Sequence, residues 1–179
     1  MRPIPWSSVA SWRCNGCGEI CCSSALVPLT PWEWANLTQL YGAGITEFRL
    51  DGLCLKKRPN GGCIFLCSFP GRSLCALQKL KPLACKLWPF KIGMNPTYGY
   101  AEDASFPFKG ERFYVYLDPA CRGIALGKPT PQFAGRIVQE FIELFLGRRE
   151  KQVYSTMPTP DTTPIPRHIT PTIYETVIL

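Results

Sequence analysis

At 179 residues the chain is long enough for one domain with a sizeable core, and 46% hydrophobic residues, with five Trp, ten Phe and seven Tyr, support a packed globule. No apolar run approaches the roughly 20 residues needed to cross a bilayer, which excludes a membrane-spanning helix. The formal charge of +7 invites a nucleic-acid reading, but it counts all ten cysteines as neutral.

Met1 to Trp12 carries Pro3 and Pro5 and lacks the unbroken apolar stretch of a secretory signal, so export is not indicated and a reducing, cytoplasmic compartment is expected. There, clustered cysteines read as ligands or redox groups rather than as a disulfide framework. Cys14 and Cys17 flank Asn15-Gly16, a gap that lets two thiolates of one tight turn face a single soft cation. Gly16 and Gly18 let the backbone curl so that N–H groups point at sulfur. Adjacent Cys21 and Cys22 suit a ligand cluster better than a strained bridge, and one of them is available to a second centre.

Thr30-Pro31-Trp32-Glu33 predicts a helix start, with a hydroxyl cap, proline at the first position and a glutamate that completes a capping box. This helix is expected to run to about Tyr41 and stop at Gly42 and Gly44, with a second short helical turn around Thr46 to Leu50. Trp32, Leu37 and Leu40 are read as core contacts. Asn60-Gly61-Gly62 then turns the chain into a strand-like run from Cys63 to Cys67, and Pro70-Gly71 turns it again. Cys75 falls in a predicted helical patch from Ser73 to Leu80; Leu83-Ala84-Cys85 makes a further turn closed by Trp88-Pro89-Phe90. Each candidate ligand thus lies beside a turn or helix end, where freed N–H groups can reach sulfur.

Phe90-Lys91-Ile92, Thr97 to Tyr100 and Arg112 to Leu117 are short, aromatic and β-branched, and predict a small antiparallel sheet. After Thr130-Pro131, the residues Phe133, Ile137, Val138, Phe141, Ile142 and Phe145 form one apolar stripe of a helix expected to lie on the sheet or on the cysteine segment. Residues 1–150 are therefore read as one domain and 151–179 as a Pro/Thr-rich tail. Ser155 to Pro171 holds five prolines, and Tyr174 to Leu179 is apolar again, in the manner of a frayed terminus. His168, the only histidine, lies in that tail and is not read as a ligand; Glu102-Asp103 is read as an exposed turn, and no general acid or base stands out.

Several of these segments share a known pattern: Cys14, Cys17-Gly18, Cys21-Cys22, Leu29 to Glu33, Cys63 to Leu66, Cys75, Pro82 with Cys85, Trp88-Pro89-Phe90, and Cys121-Arg122-Gly123 followed by Gly127-Lys128-Pro129. In them, over residues 12 to about 130, the chain resembles the YkgJ-type cysteine-cluster family, a zinc- or iron-chelating domain. The resemblance implies eight metal ligands, Cys14, Cys17, Cys21, Cys22, Cys63, Cys75, Cys85 and Cys121. The chain departs from the pattern at Lys81 and Lys86, where the family has arginine, and at Trp88, where it has phenylalanine. Cys54 and Cys67 fall outside it and are read as small apolar fillers or spare thiols.

Eight thiolates shared between two divalent centres carry a net −4, which lowers the formal +7 to about +3 and removes the case for a polyanion partner. Lys56, Lys57, Arg58, Lys79, Lys81, Lys86 and Lys91 either offset such centres or form an ordinary solvated face. All-sulfur donors suit zinc or one or two iron–sulfur clusters, and the irregular spacing favours iron–sulfur. Sulfurs of one centre are expected within roughly 4 Å of each other for zinc, or around 6 to 7 Å across a cubane.

The expected fold is α+β: a small irregular cysteine-rich metal-binding domain with short antiparallel strands and a long C-terminal amphipathic helix. The expected function is metal-cluster binding with a redox or electron-transfer role. One alternative is an S-adenosylmethionine-dependent enzyme, because flagellin lysine-N-methylase is similar to this family in its cysteine pattern. The other is a structural zinc-binding module that meets a protein partner through the tail, with no nucleic acid and no membrane involved.

Overall fold

The aromatic and β-branched run at 112–117 becomes the central strand of the molecule, because its alternating Phe113, Val115 and Leu117 side chains are all fully buried on one face. The computed structural model describes residues 1–154 apart from 19–20, 24–25, 51, 70–71 and 78–79; Lys79 and the tail from residue 155 onward, His168 included, lie outside the described residues. The first strands are β1 (Ile4–Pro5) and β2 (Val9–Trp12), followed by helix α1 (Pro31–Tyr41) and strands β3 (Thr46–Arg49), β4 (Gly52–Leu55), β5 (Leu66–Phe69) and β6 (Arg72–Cys75). Next come α2 (Leu83–Leu87), β7 (Phe90–Gly93), α3 (Ala101–Ala104), β8 (Ser105–Phe108), β9 (Glu111–Leu117), β10 (Ile124–Leu126), a π-helical segment (Phe133–Val138) and α4 (Gln139–Phe145). The class is α+β with short antiparallel strands.

β9 carries β7 along one edge and β8 along the other, Tyr114 pairing with both Gly93 and Ser105; β1 joins at Ile4↔Leu117. Three two-stranded ladders complete the strands, β10 with β2, β3 with β4 and β5 with β6. Against the sheet lies the last helix. Phe133, Ile137, Val138, Phe141, Ile142 and Leu144 pack with Trp12, Phe90, Phe106 and Phe113 in a first, aromatic core. A second core gathers Val27, Leu37, Ile45, Leu55, Cys63 and Leu77.

Several expectations are corrected. The last helix is not long: six π-helical residues and seven α-helical ones make it up. It ends because Gly147, at φ 67°, takes the left-handed position of a Schellman cap, in which Arg148 N–H donates to Glu143 O and Gly147 N–H to Leu144 O. The residues around Thr46 form a strand rather than a helical turn, and Ser73 to Cys75 form a strand rather than a helix, because each run finds a partner strand close by in sequence. Thr97 to Tyr100 is a turn, since Pro96 has no N–H for a ladder and Gly99 has φ 79°. Leu37 is buried as expected, but Trp32 is 75% and Leu40 60% exposed. Five residues of helix rotate Trp32 about 140° away from Leu37, so one packing face cannot take both. α1 itself starts as predicted, with Thr30 N–H donating to Glu33 Oε2 (2.8 Å) and Glu33 N–H to Thr30 Oγ1 (3.2 Å).

Beyond α4 the chain folds back as a strap. Glu140, 1% exposed, accepts from Val153 N–H (2.9 and 3.0 Å to its two oxygens), from Tyr154 N–H (2.9 Å) and from Arg149 Nη1 (3.4 Å). Gln152 Nε2 donates to Lys86 O at 2.9 Å, tying the strap to α2.

One turn away, desolvation alone would push the Glu143 carboxyl up, but the Arg149 guanidinium (2.8 Å) and the Lys109 ammonium (3.4 Å) outweigh it and hold it below the usual 4.5. Glu143→Gln should therefore cost less than about 1 kcal/mol at neutral pH. The difference is complete above pH 4.5 and disappears as pH falls through the lower folded value, which urea unfolding at neutral and acid pH will read. Among the described residues no helix is long and apolar enough to cross a membrane.

Candidate metal centre

Cys121 is brought to the N-terminal segment because β10 pairs with β2. Trp12 lies opposite Ile124, and Arg13 N–H donates to Gly123 O at 3.0 Å. A side chain at position 123 would place its Cβ 2.1 Å from Arg13 O, so the approach demands glycine. The indole N–H of Trp12 then donates to Cys121 Sγ at 3.3 Å. Burial pushes the Cys121 thiol up, Trp12 and the Gly123 N–H oppose this, and the nearby thiols of Cys14 and Cys17 add to the rise. Cys14 and Cys121 both pack against the aromatic core, with Cys17 close enough to bear on Cys121.

The second set is built on the other core. Gly18, at φ 63°, lets the loop after Cys17 run so close to β6 that a Cβ there would lie 2.5 Å from that of Ser73. Ser73 N–H donates to Gly16 O (2.9 Å), Cys63 N–H to Cys22 O (2.6 Å) and Lys57 Nζ to Ser23 O (3.1 Å), which pins the Cys21-Cys22 loop against the Cys63 turn and β6. Cys75 ends β6 opposite Leu66. Cys85 rides on α2, whose Leu83 N–H donates to Glu33 Oε1 at 2.6 Å, so the capping residue of α1 also positions a thiol-bearing helix.

The thiols of Cys21, Cys22, Cys63, Cys75 and Cys85 act on one another electrostatically. Burial raises Cys85 first, then the thiols of Cys75, Cys63 and Cys21, with Lys81 opposing. Burial likewise raises Cys63, against the charges of Arg58 and Lys57. Cys21 and Cys22 stand with sulfurs 3.7 Å apart; the hydrogen bond between them lowers Cys21 to about 7, against burial and with help from Lys81, and raises Cys22. Of the basic residues expected near the ligands, Lys57, Arg58 and Lys81 thus bear on the thiols, whereas Lys91 pairs with Asp118 at 3.9 Å.

None of the ten cysteines is in a disulfide. Among the described residues, no three Cys, His, Asp or Glu side chains stand close enough to hold a metal ion as they are. The Cys21–Cys22 distance meets the roughly 4 Å expected around one zinc. The donor set itself suits a thiophilic metal: sulfurs from separate segments, half buried beside apolar residues, with cations close by. No family model, curated protein or solved structure matches the chain. Nothing in these comparisons identifies a YkgJ-type family.

Cys54 is fully buried in β4 and Cys67 is half buried in β5, opposite Leu74. Sequence reasoning missed Trp12 as a donor to sulfur and Glu33 as the anchor of α2, since both bonds join residues far apart in the chain. The Trp12 position, two residues before Cys14, was the one available signal.

Proposed function

We propose that this chain, a member of the YkgJ-type family acting in a reducing cytoplasm, binds metal at two cysteine centres, with an iron–sulfur cluster and a redox or electron-transfer role. The observation that carries this reading is the gathering of five thiols from four segments, none bridged, beside one apolar core. Cys22, Cys63, Cys75 and Cys85 would supply one centre, with Cys21 beside them at 3.7 Å from Cys22, and Cys14, Cys17 and Cys121 the other. The apolar residues Leu66, Leu77 and Phe65 around the first group would exclude water from a cluster, and the cations of Lys57 and Arg58 would raise its potential. A second reading, structural zinc, is favoured by the 3.7 Å between Cys21 and Cys22, close to the edge of a tetrahedron with bonds of about 2.3 Å.

Anaerobic purification with metal and sulfide analysis tests both. Iron, sulfide and a visible absorbance bleached by dithionite support the cluster, and colourless protein with about two zinc ions per chain supports the alternative. Cys63→Ser or Cys85→Ser should empty one centre, Cys121→Ser the other, and Cys67→Ser neither. Protein that takes up no thiophilic metal, with all ten thiols alkylated as readily as in the unfolded chain, overturns the proposal.

A further inference from the structure

A cleft of about 550 Å³ opens between the two apolar cores. Leu87, Trp88 and Phe90 wall it from the sheet side and Leu26 and Val27 from the other, while Cys21, Lys91 and Asp118 supply polar groups. We propose that this cleft binds a small carboxylate with an apolar body, its charge held by Lys91 and its hydrocarbon laid against Trp88 and Phe90. The inference goes beyond metal binding and stands without it, although Cys21 also lines the cleft.

The size falls within the range of small-molecule sites, and the walls are largely pre-formed. Phe90 is 4% exposed and stacked on Phe141 with ring centroids 3.8 Å apart, and Val27 is 6% exposed. Charge selects the ligand's sign. The Asp118 carboxylate already accepts from Ala120 N–H at 3.1 Å, and its other oxygen lies 3.9 Å from Lys91 Nζ, beyond hydrogen-bond reach. The ammonium therefore has donors to offer an anion. A cationic ligand would meet the Lys91 ammonium beside a carboxylate already committed to the Ala120 N–H.

Octanoate is a suitable probe, with octanamide as the uncharged body of the same shape. In the full chain as purified under reducing conditions, octanoate should give saturable amide shifts at Leu87, Phe90, Lys91 and Ala120, and a matching change in tryptophan fluorescence. Octanamide should bind about tenfold more weakly, the worth of one charge-assisted hydrogen bond. Lys91→Met should bring the two ligands level, and Trp88→Phe should keep the shifts while losing most of the fluorescence change. Equal affinity for octanoate and octanamide in the unaltered chain overturns the proposal. So do shifts that gather instead on exposed apolar residues such as Trp32 and Phe48, a result that needs no variant to fold.

Discussion

Phe141→Ala should lower the unfolding free energy by about 3 to 5 kcal/mol, the largest loss expected from a single substitution in this chain. The ring is fully buried and stacks on Phe90 at 3.8 Å, with Trp12 edge-on at 5.2 Å. Its removal takes away the apolar transfer term and leaves a cavity that neither neighbour can fill, because Trp12 is held by its indole bond to Cys121 and Phe90 by its place in β7. Phe141→Leu, which keeps most of the volume, should cost less than half as much. Urea unfolding followed by circular dichroism will read the difference. A loss below about 1 kcal/mol would mean that the helix and sheet repack, and that the aromatic core is not the main store of stability.

Glu140→Ala should cost about 2 to 4 kcal/mol and release the strap. A buried carboxylate that accepts from two backbone N–H groups and an arginine makes charge-assisted bonds of roughly 1.5 to 3 kcal/mol each. Part of that is recovered, because Val153 and Tyr154 are themselves largely exposed and their amides can turn to water. Arg149 retains Glu143 as a partner, so the substitution leaves no cation stranded. Glu140→Gln, which keeps one acceptor oxygen but turns an amide N–H₂ toward donors, should cost about half as much. Limited trypsin digestion gives the second reading: cleavage at Arg149 and Lys151 should speed up in the alanine variant along with the loss of stability. Unchanged cleavage and an unchanged midpoint would show that the strap is held by something other than Glu140.

Features fixed by near neighbours could be read before any coordinates. Thr30 and Glu33 stand three residues apart and bond to each other, so the start of α1 followed from sequence. The stripe from Phe133 to Phe145 named the helix and the side it buries, though not its length, which a glycine cap two residues beyond decides. Features fixed by distant partners could not be read. Whether Ser73 to Cys75 extends or coils depends on β5 alongside it, and whether Trp32 is covered depends on what reaches the far side of α1. The same holds for the cysteines. Their spacing pointed to metal donors, but which of them come near one another depends on pairings such as that of Trp12 with Cys121, 109 residues away.

The separation of the aromatic core from the sulfur-bearing one has a mechanical result. The two sets of buried side chains share no residue, so a change in one core should leave the packing of the other in place. Under the metal reading proposed above, the cysteine-bearing segments would close around an ion while the aromatic core stays at rest.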